Sequence, residues 1–538
     1  MVDVAKRAGR MGSIERLGFV WLALLAAACG GRTSRSTASS NGAGGATNQT
    51  DASTTEARWA RMAVSPKMSF FDAVAADRSG NAYAAGYFSG PSTLDLGDGV
   101  TIAGAYAGDN AFLVKYDSGG RVQWARTVAA GSIGSRFPSV AVDPSGNVYV
   151  VGSLYPASGD VDFGDGFTFT KSDTFHNAVL VKYDASGAVA WVRAISAGPG
   201  DSIFNSLAVD AAGNLSVAGA IEGTGTYDFG NDVTATGTAA GDPSADPPYG
   251  QNVVLVKYDA AGIAQWAQTV AAGSLDSRFD SVRLDSAGNA YALGAITGLQ
   301  TYDFGHGVTA TGMPIQSHIA NPGGASVLVK YDPAGTAQWA QAVTAALMSV
   351  AVDPAGNAYA VGQLDSRPCD FGNGVTAAGT LDSDDFTGLL GPAYVLLVKY
   401  DSSGVARWAR TVASSGQNSY FDAVAVDASG NVLAAGGVMR PGTYDFGDGA
   451  TVTAVDQDGY AGVVVKYDAE GIADWARSAR HDGSSGDVFS SVTVDPLNDV
   501  YVAGGVSGTG LVDFGDGAAV TTTELSSPGW SALLVEYR

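Results

Sequence analysis

The chain has 538 residues, 53 of them acidic and 30 basic, for a formal net charge of −23. Only 15% of it is charged while 46% is apolar, a balance that excludes a disordered acidic tail, which needs few apolar groups and much charge. So large an acidic excess also excludes a nucleic-acid partner, whose binders need clustered Lys and Arg to displace counterions.

The N-terminal segment carries Lys6, Arg7, Arg10 and Arg16, and then runs uncharged from Leu17 to Ala28. That run is too short for a membrane-spanning helix, which takes about 20 residues, and it fits the apolar core of a secretory signal over residues 1–28. Translation from Met11 instead of Met1 gives a signal of more usual length. Leu25-Ala26-Ala27-Ala28-Cys29 resembles the lipobox of bacterial lipoproteins, with Ala26 where that family prefers Leu. The resemblance implies that the Cys29 thiol is acylated and becomes the mature N-terminus. The alternative is a plain cleavable signal with an incidental cysteine. Residues 30–56 are rich in Ser, Thr, Gly, Ala and Asn without apolar periodicity, so residues 29–56 read as a lipidated cysteine and a flexible tether spanning on the order of 30 Å. The expected address is the cell envelope, at the outer membrane or cell surface, with the lipid as membrane anchor.

From residue 57 the chain repeats itself. A Gly-Asn pair recurs at 80, 146, 213, 288, 356 and 430, with Asn498-Asp499 as a degenerate seventh copy. The tyrosine of Leu-Val-Lys-Tyr-Asp stands at 116, 183, 258, 331, 400, 467 and, degenerate, 537, and a tryptophan at 59, 124, 191, 266, 339, 408 and 475. Each unit reads as four strands. Strand A alternates in polarity, and Asp-Pro-Ser-Gly-Asn turns it into strand B, with Pro presetting φ and Gly accepting the left-handed position. Strand C is the Leu-Val-Lys-Tyr run, and a second turn such as Asp184-Ala-Ser-Gly187 leads into strand D with its tryptophan. Four short strands in each unit of about 68 residues point to an all-β, closed seven-bladed β-propeller over residues 57–538. A β-helix has shorter rungs and needs no separate turn chemistry for each hairpin. The repeats begin with a lone strand D at Trp59 and stop after the seventh strand C at Tyr537, so closure by the N-terminal strand, Velcro fashion, is expected.

These units resemble the bacterial propeller repeats named SBBP and, more loosely, NHL repeats. Asp-Ser-Ala-Gly-Asn-Ala-Tyr (285–291), Tyr-Asp-Phe-Gly (302–305), Leu-Val-Lys-Tyr-Asp (328–332) and Trp339 carry the resemblance. It implies a fold and a surface or secreted setting. That family has no common activity, so it assigns no functional residue.

Asp-Phe-Gly occurs at 162–164, 228–230, 303–305, 370–372, 445–447 and 513–515, with Asp95-Leu96-Gly97 as a variant. The kinase tripeptide works only beside a Gly-rich loop and a catalytic loop, which are absent here, so the aspartate reads as a loop cap and the aromatic as inter-blade filling. The longer Asp-Phe-Gly-Asp-Gly also suits a calcium loop, but its second acid becomes Asn231, His306 and Asn373 in units three to five. Gly187, four residues before Trp191, invites comparison with the quinoprotein docking motif, but those dehydrogenases have eight units, so inter-blade packing is favoured. The lysine of each strand C reads as a solvent-exposed pair with its following Asp, or as a snorkelling stem. Two cysteines, Cys29 and Cys369, cannot build a disulfide framework or a Cys-rich zinc site, and Cys369 stands where its siblings are bulky and mostly apolar, so it reads as a buried, inert thiol. His176, His306, His318 and His481 show no metal-ligand spacing, and neither a metal nor a cofactor is expected.

Function on a repeat scaffold sits where the repeats depart from one another. From the Asp of Asp-Phe-Gly to the strand C tyrosine, the gaps are 21, 21, 30, 28, 30, 22 and 24 residues. The three longest carry Asp242, Asp246 and Tyr249; Met313, His318 and Asn321; and Asp382, Asp384, Asp385 and Phe386, while the connection from Trp339 to Ser349 is shortened. The B–C and D–A loops emerge on one propeller face, so these residues, with His306, are expected to wall a ligand recess. The leading functional reading is a monomeric, non-enzymatic envelope lipoprotein that binds a protein or polysaccharide there. An exported glycan lyase or hydrolase using the loop acids, and a purely structural envelope protein, are the alternatives. No catalytic residue is assigned.

Overall fold

The computed structural model describes residues 57–538 save 132, 172, 174, 196–197, 242–249, 314–323, 380–392, 415–417, 440, 455–459, 484–485 and 523–528. Among the described residues the regular structure is entirely β, and seven antiparallel sheets have four strands each. In sheet one, strand A is Ser69–Ala76, B is Ala82–Ser89, C is Asp109–Tyr116 and D is Val122–Thr127, hydrogen-bonded in that order. The next five sheets repeat this order. In the seventh, Gly486–Val494, Val500–Ser507 and Trp530–Tyr537 are completed by the N-terminal strand Ala57–Met62, whose Trp59 lies opposite Glu536. Strand A of each sheet lies against strand A of the next, and that of sheet seven against that of sheet one. Across this last contact Val74 N donates to Ser491 Oγ at 3.1 Å and Ser490 Oγ donates to Phe71 O at 2.8 Å.

The repeated residues make recurring contacts from sheet to sheet. In sheet two, Asp143 Oδ1 accepts the N–H groups of Ser145 and Asn147, while Oδ2 takes the Asn147 side chain at 2.7 Å and the Tyr149 hydroxyl at 3.0 Å. Burial pushes the Asp143 carboxyl up, but these donated bonds outweigh it and hold the group below its ordinary value. The A–B turn is therefore a preformed carboxylate cradle. Gly in the C–D turn meets the tryptophan of the preceding sheet: Gly120 has φ +74°, and a Cβ there would stand 2.7 Å from the Trp59 ring. The same stacking recurs at Gly187 on Trp124 and Gly404 on Trp339. Repetition of Trp and of Gly is thus one inter-sheet contact, and the tryptophans pack between sheets.

Of the two readings of the strand C lysine, the structure favours the part-buried stem over an exposed pair with the following Asp, for Lys115, Lys182, Lys330 and Lys399. Lys182 Nζ lies 5.0 Å from the centre of the Tyr149 ring and donates to Ala260 O in the next sheet, and Lys399 repeats this with Tyr359 and Ala469. Cys369 is buried beside Thr344, and burial pushes its thiol up, which keeps it protonated and unreactive.

Candidate functional site

Between strands B and C, where the sequence pattern shows only a loop, the structure has a small hairpin. In unit one Thr93–Asp95 pairs with Thr101–Ala103. The Asp-Phe-Gly segment, Asp95-Leu96-Gly97 in unit one, leads into the tip of this hairpin. Its aspartate caps the turn, as in Asp162 Oδ1 with Gly164 N at 2.8 Å and Asp303 Oδ1 with Gly305 N at 2.8 Å. Its phenylalanine enters the core between sheets, where Phe304 stacks on Phe279 at 6.3 Å and Phe446 on Phe421 at 6.1 Å.

The residue after this Gly has a backbone requirement. Asp98, Asp165, Asn231, His306, Asn373, Asp448 and Asp516 all have φ between 51° and 57°. Asp, Asn and His are the side chains that tolerate this left-handed region best. Asp98 and Asp165 accept the N–H of Val122 and Val189 at the start of strand D, whereas Asn231 and Asn373 donate to the carbonyls of Ala264 and Ala406, the equivalent residues. The change from Asp to Asn in units three and five therefore preserves one hairpin anchor, and in unit four His306 keeps the same left-handed backbone. His306 is exposed and Met313 is partly buried against the core of sheet four. Asp242, Asp246, Tyr249, His318, Asn321, Asp382, Asp384, Asp385 and Phe386 lie outside the described residues, as does Cys29. Among the described residues, no group of three or more His, Cys, Asp or Glu is placed to hold a metal ion.

The B–C and D–A side carries two polar clusters that the length comparison missed. Between sheets two and three, His176 Nδ1 lies 2.9 Å from Asp201 Oδ2, Asp201 Oδ1 accepts the His176 N–H, and Asp201 N donates to Glu222. Tyr155 lies edge-on to His176 and donates to Asp109. Burial raises both Asp109 and Glu222. His176 is itself buried, so this network braces the loops from inside.

The second cluster spans sheets six, seven and one. At the head of strand C the successive sheets place Asp109, His176, Gln251, Gly324, Ala393, Tyr460 and Trp530, so chemistry changes at this position while the fold does not. Tyr460 and Trp530 lie 6.4 Å apart, and Phe70 meets Trp530 edge-on at 6.4 Å. Both Tyr460 and Trp530 are partly exposed. Gly505 makes room for them, since a Cβ there would stand 2.5 Å from the Phe70 ring. Burial, then Asp422, Tyr460 and Asp487 in turn, hold the Tyr420 hydroxyl well above its ordinary value. Burial pushes Asp422 up to about 7. Beside Tyr460, a cavity of about 490 Å³ is lined by Thr451, Thr453, Ser478, Arg477, Arg480 and His481, among others.

His481 is held from behind. Its Nε2 lies 2.7 Å from Asp487 Oδ1, and Asp487 is fully buried. Asp487 stands where sheets one, two, three, four and six have Ser69, Ser135, Ser202, Ser277 and Ser419. Those hydroxyls accept an N–H from strand C of the preceding sheet, as Ser135 does from Ala111 and Ser419 from Val395. The larger carboxylate fits because the strand C residue facing it is Gly462, where a Cβ would come within 2.5 Å of Asp487 Oδ2. Asp487 and Gly462 are thus a matched pair of departures from the repeat.

Repeated four-stranded antiparallel sheets, packed first strand to first strand, define a β-propeller repeat protein. No protein-family model matches the chain. An uncharacterized WD repeat-containing protein of Acanthamoeba polyphaga mimivirus is 23% identical over 497 residues, covering 80% of this chain and 35% of that protein. The chain therefore spans about a third of the length of this curated relative. Among solved structures, the calcium-binding protein regucalcin from Agrobacterium tumefaciens has 12% identity over 74% of this chain and 90% of its own, with a TM-score of 0.29. Polysaccharide lyase Uly1 has 10% identity over 89% and 99%, with a TM-score of 0.39.

Proposed function

We propose that the protein is an exported, monomeric, seven-bladed β-propeller, closed by its N-terminal strand and tethered to an envelope membrane through acylated Cys29, that binds a glycan polymer on its B–C and D–A face. The observation that carries this reading is the partly exposed Tyr460–Trp530 pair beside a cavity walled by hydroxyl, guanidinium and imidazole groups. Sugars present apolar C–H faces ringed by hydroxyls, and an aromatic surface beside several polar donors answers both features. The reading moves the ligand from the arc of units three to five toward sheets six, seven and one. The test is affinity electrophoresis of the mature protein through gels containing bacterial and plant polysaccharides. Trp530→Ala is expected to remove retardation, and shortening the three insertions of units three to five to the loop length of units one and two to leave it. The opposite pattern places the ligand on the insertion arc.

A glycan-active enzyme is the second reading. The His481–Asp487 pair beside the cavity and the raised carboxyl of Asp422 favour it. Shortening of any bound polymer on prolonged incubation, followed by size-exclusion chromatography, decides between binding and turnover.

A further inference from the structure

We infer that the cavity beside Tyr460 recognises an anionic group on the polymer, a sugar carboxylate or sulfate, through Arg480 with His481 held beside it. This inference deepens the glycan-binding reading and rests on it. Its warrant is an internal comparison that the repeats supply. Five residues after the strand D tryptophan, the units carry Val64, Ala129, Ser196, Ala271, Thr344 and Ala413, but in the sixth sheet Arg480. One residue further they carry Ser65, Ala130, Ala197, Ala272, Ala345 and Ser414, but there His481. Small side chains suffice for the fold at both positions, so the fold does not call for the bulk and charge of Arg480 and His481.

The backbone is also fixed where the cation stands. Arg480–Gly483 forms a strand against Gly510–Asp513, with Arg480 opposite Asp513 and His481 opposite Val512. Val64 and Ala413 bridge Asp95 and Asp445 in the same way, so at these three connections the substitution changes the side chain on a shared backbone pairing, whereas Ala130 and Ala272, one residue further on, pair with Asp162 and Asp303. Arg480 is exposed while His481 is anchored on buried Asp487, so one group reaches out and the other is positioned. Thr451, Thr453 and Ser478 supply hydroxyls around them, and Tyr460 supplies the aromatic wall. A planar guanidinium facing a polar recess matches carboxylate or sulfate oxygens better than it matches sugar hydroxyls. In a chain with 53 acids and 30 bases, a polyanion is repelled by most of the surface, so attraction must be local.

The experiment measures binding of the mature protein to polygalacturonate, dextran sulfate and neutral dextran at low and high salt. Arg480→Val restores a residue found at the equivalent position, Val64, so the fold is expected to survive, and circular dichroism checks it. Arg480→Val is expected to weaken binding to a charged polymer at least tenfold and to flatten its salt dependence. A carboxylate source is indicated if polygalacturonate alone is bound, and a sulfate source if dextran sulfate alone is. Retention of neutral dextran lost only with Trp530→Ala, and insensitive to Arg480→Val, overturns the anion site while sparing the glycan reading. Charged-polymer binding that survives Arg480→Val also overturns it. If no polysaccharide binds, both fall.

Discussion

Replacing Glu536 with Gln should tighten the attachment of the N-terminal strand at alkaline pH, against what a simple salt-bridge picture expects. In the other six sheets strand C carries Lys115, Lys182, Lys257, Lys330, Lys399 and Lys466 at this position. In sheet seven it carries Glu536, whose side chain is fully buried and lies 3.1 Å from Arg58 Nη1 in the N-terminal strand. Asp495, Asp499 and Tyr501 face it from strands A and B and their turn, and Arg538 lies 3.4 Å from Asp499. Burial is the largest influence and pushes the Glu536 carboxyl from 4.5 up to about 7; Arg58 opposes it, and Asp499 and Asp495 add to it. An acid whose folded value exceeds its unfolded value makes the fold bind protons more tightly. The stability from this group is therefore full below the unfolded value and lost as pH rises from 4.5 through about 7. A displacement of that size corresponds to about 3 kcal/mol at pH 8.5, on the order of a hundredfold in local opening. Arg58 is 41% exposed, so its attraction for an ionised Glu536 offsets only part of this. Whole-domain melting is a poor probe, because unfolding entropy of about 2 cal/mol/K per residue dilutes the effect to roughly 1 °C per kcal/mol. The assay is hydrogen exchange by mass spectrometry on the segment 57–63, comparing variant and wild type at equal pH so that intrinsic rates cancel. Protection should rise in the Gln variant at pH 8.5 and change little at pH 4. A variant less protected than wild type at pH 8.5 would refute the argument.

Gly120→Ala sets a side chain at φ +74° and 2.7 Å from the Trp59 ring, and should cost about 1–3 kcal/mol in urea unfolding. Gly99→Ala, at φ +78° with nothing near its Cβ, should cost no more than about 1 kcal/mol, so equal losses would rule out the ring contact as the cause. His306→Asn should fall within about 0.5 kcal/mol of wild type, and His306→Val should lose about 1–2 kcal/mol, since φ 57° and not the imidazole decides this position. Loss of glycan binding in His306→Asn would return that residue to the site. Cys29→Ser should release the protein from membranes and abolish labelling by a fatty-acid analogue; a wild-type protein that takes up no label contradicts lipidation.

The parts of the fold legible in advance were those with many copies. Seven tryptophans and seven strand C tyrosines at regular spacing announce strands and turns, because one contact repeated in each unit leaves a periodic trace. The B–C hairpin was not legible: Thr93–Asp95 and Thr101–Ala103 are three residues each, too short for alternation to register. The partner of the strand C lysine was not legible, because the Tyr that Lys115, Lys182, Lys330 and Lys399 each cover lies on strand B, more than thirty residues earlier, as Lys182 lies over Tyr149. Asp487 gave no signal either, since its partner His481 and its accommodating Gly462 come together only when sheets six and seven pack.

Length and identity are different kinds of departure from a repeat, and the structure separates them. Insertions in units three to five lengthen loops, and a lengthened surface loop costs little closure entropy, so its presence says little about selection for a ligand. A side chain that breaks a pattern on a fixed backbone is another matter. Arg480 and His481 occupy positions where small residues satisfy the fold, and Asp487 displaces a serine whose hydroxyl serves an inter-sheet bond in the other sheets that have it. That displacement requires Gly462 in return, so two positions change together to seat one carboxylate behind one imidazole. Glu536 and Arg58 obey the same logic at the seam, where strand C loses its lysine opposite the strand supplied by the chain's other end. Substitutions that cost the scaffold a standard contact, and are matched by a second substitution, locate function more sharply than loop growth does.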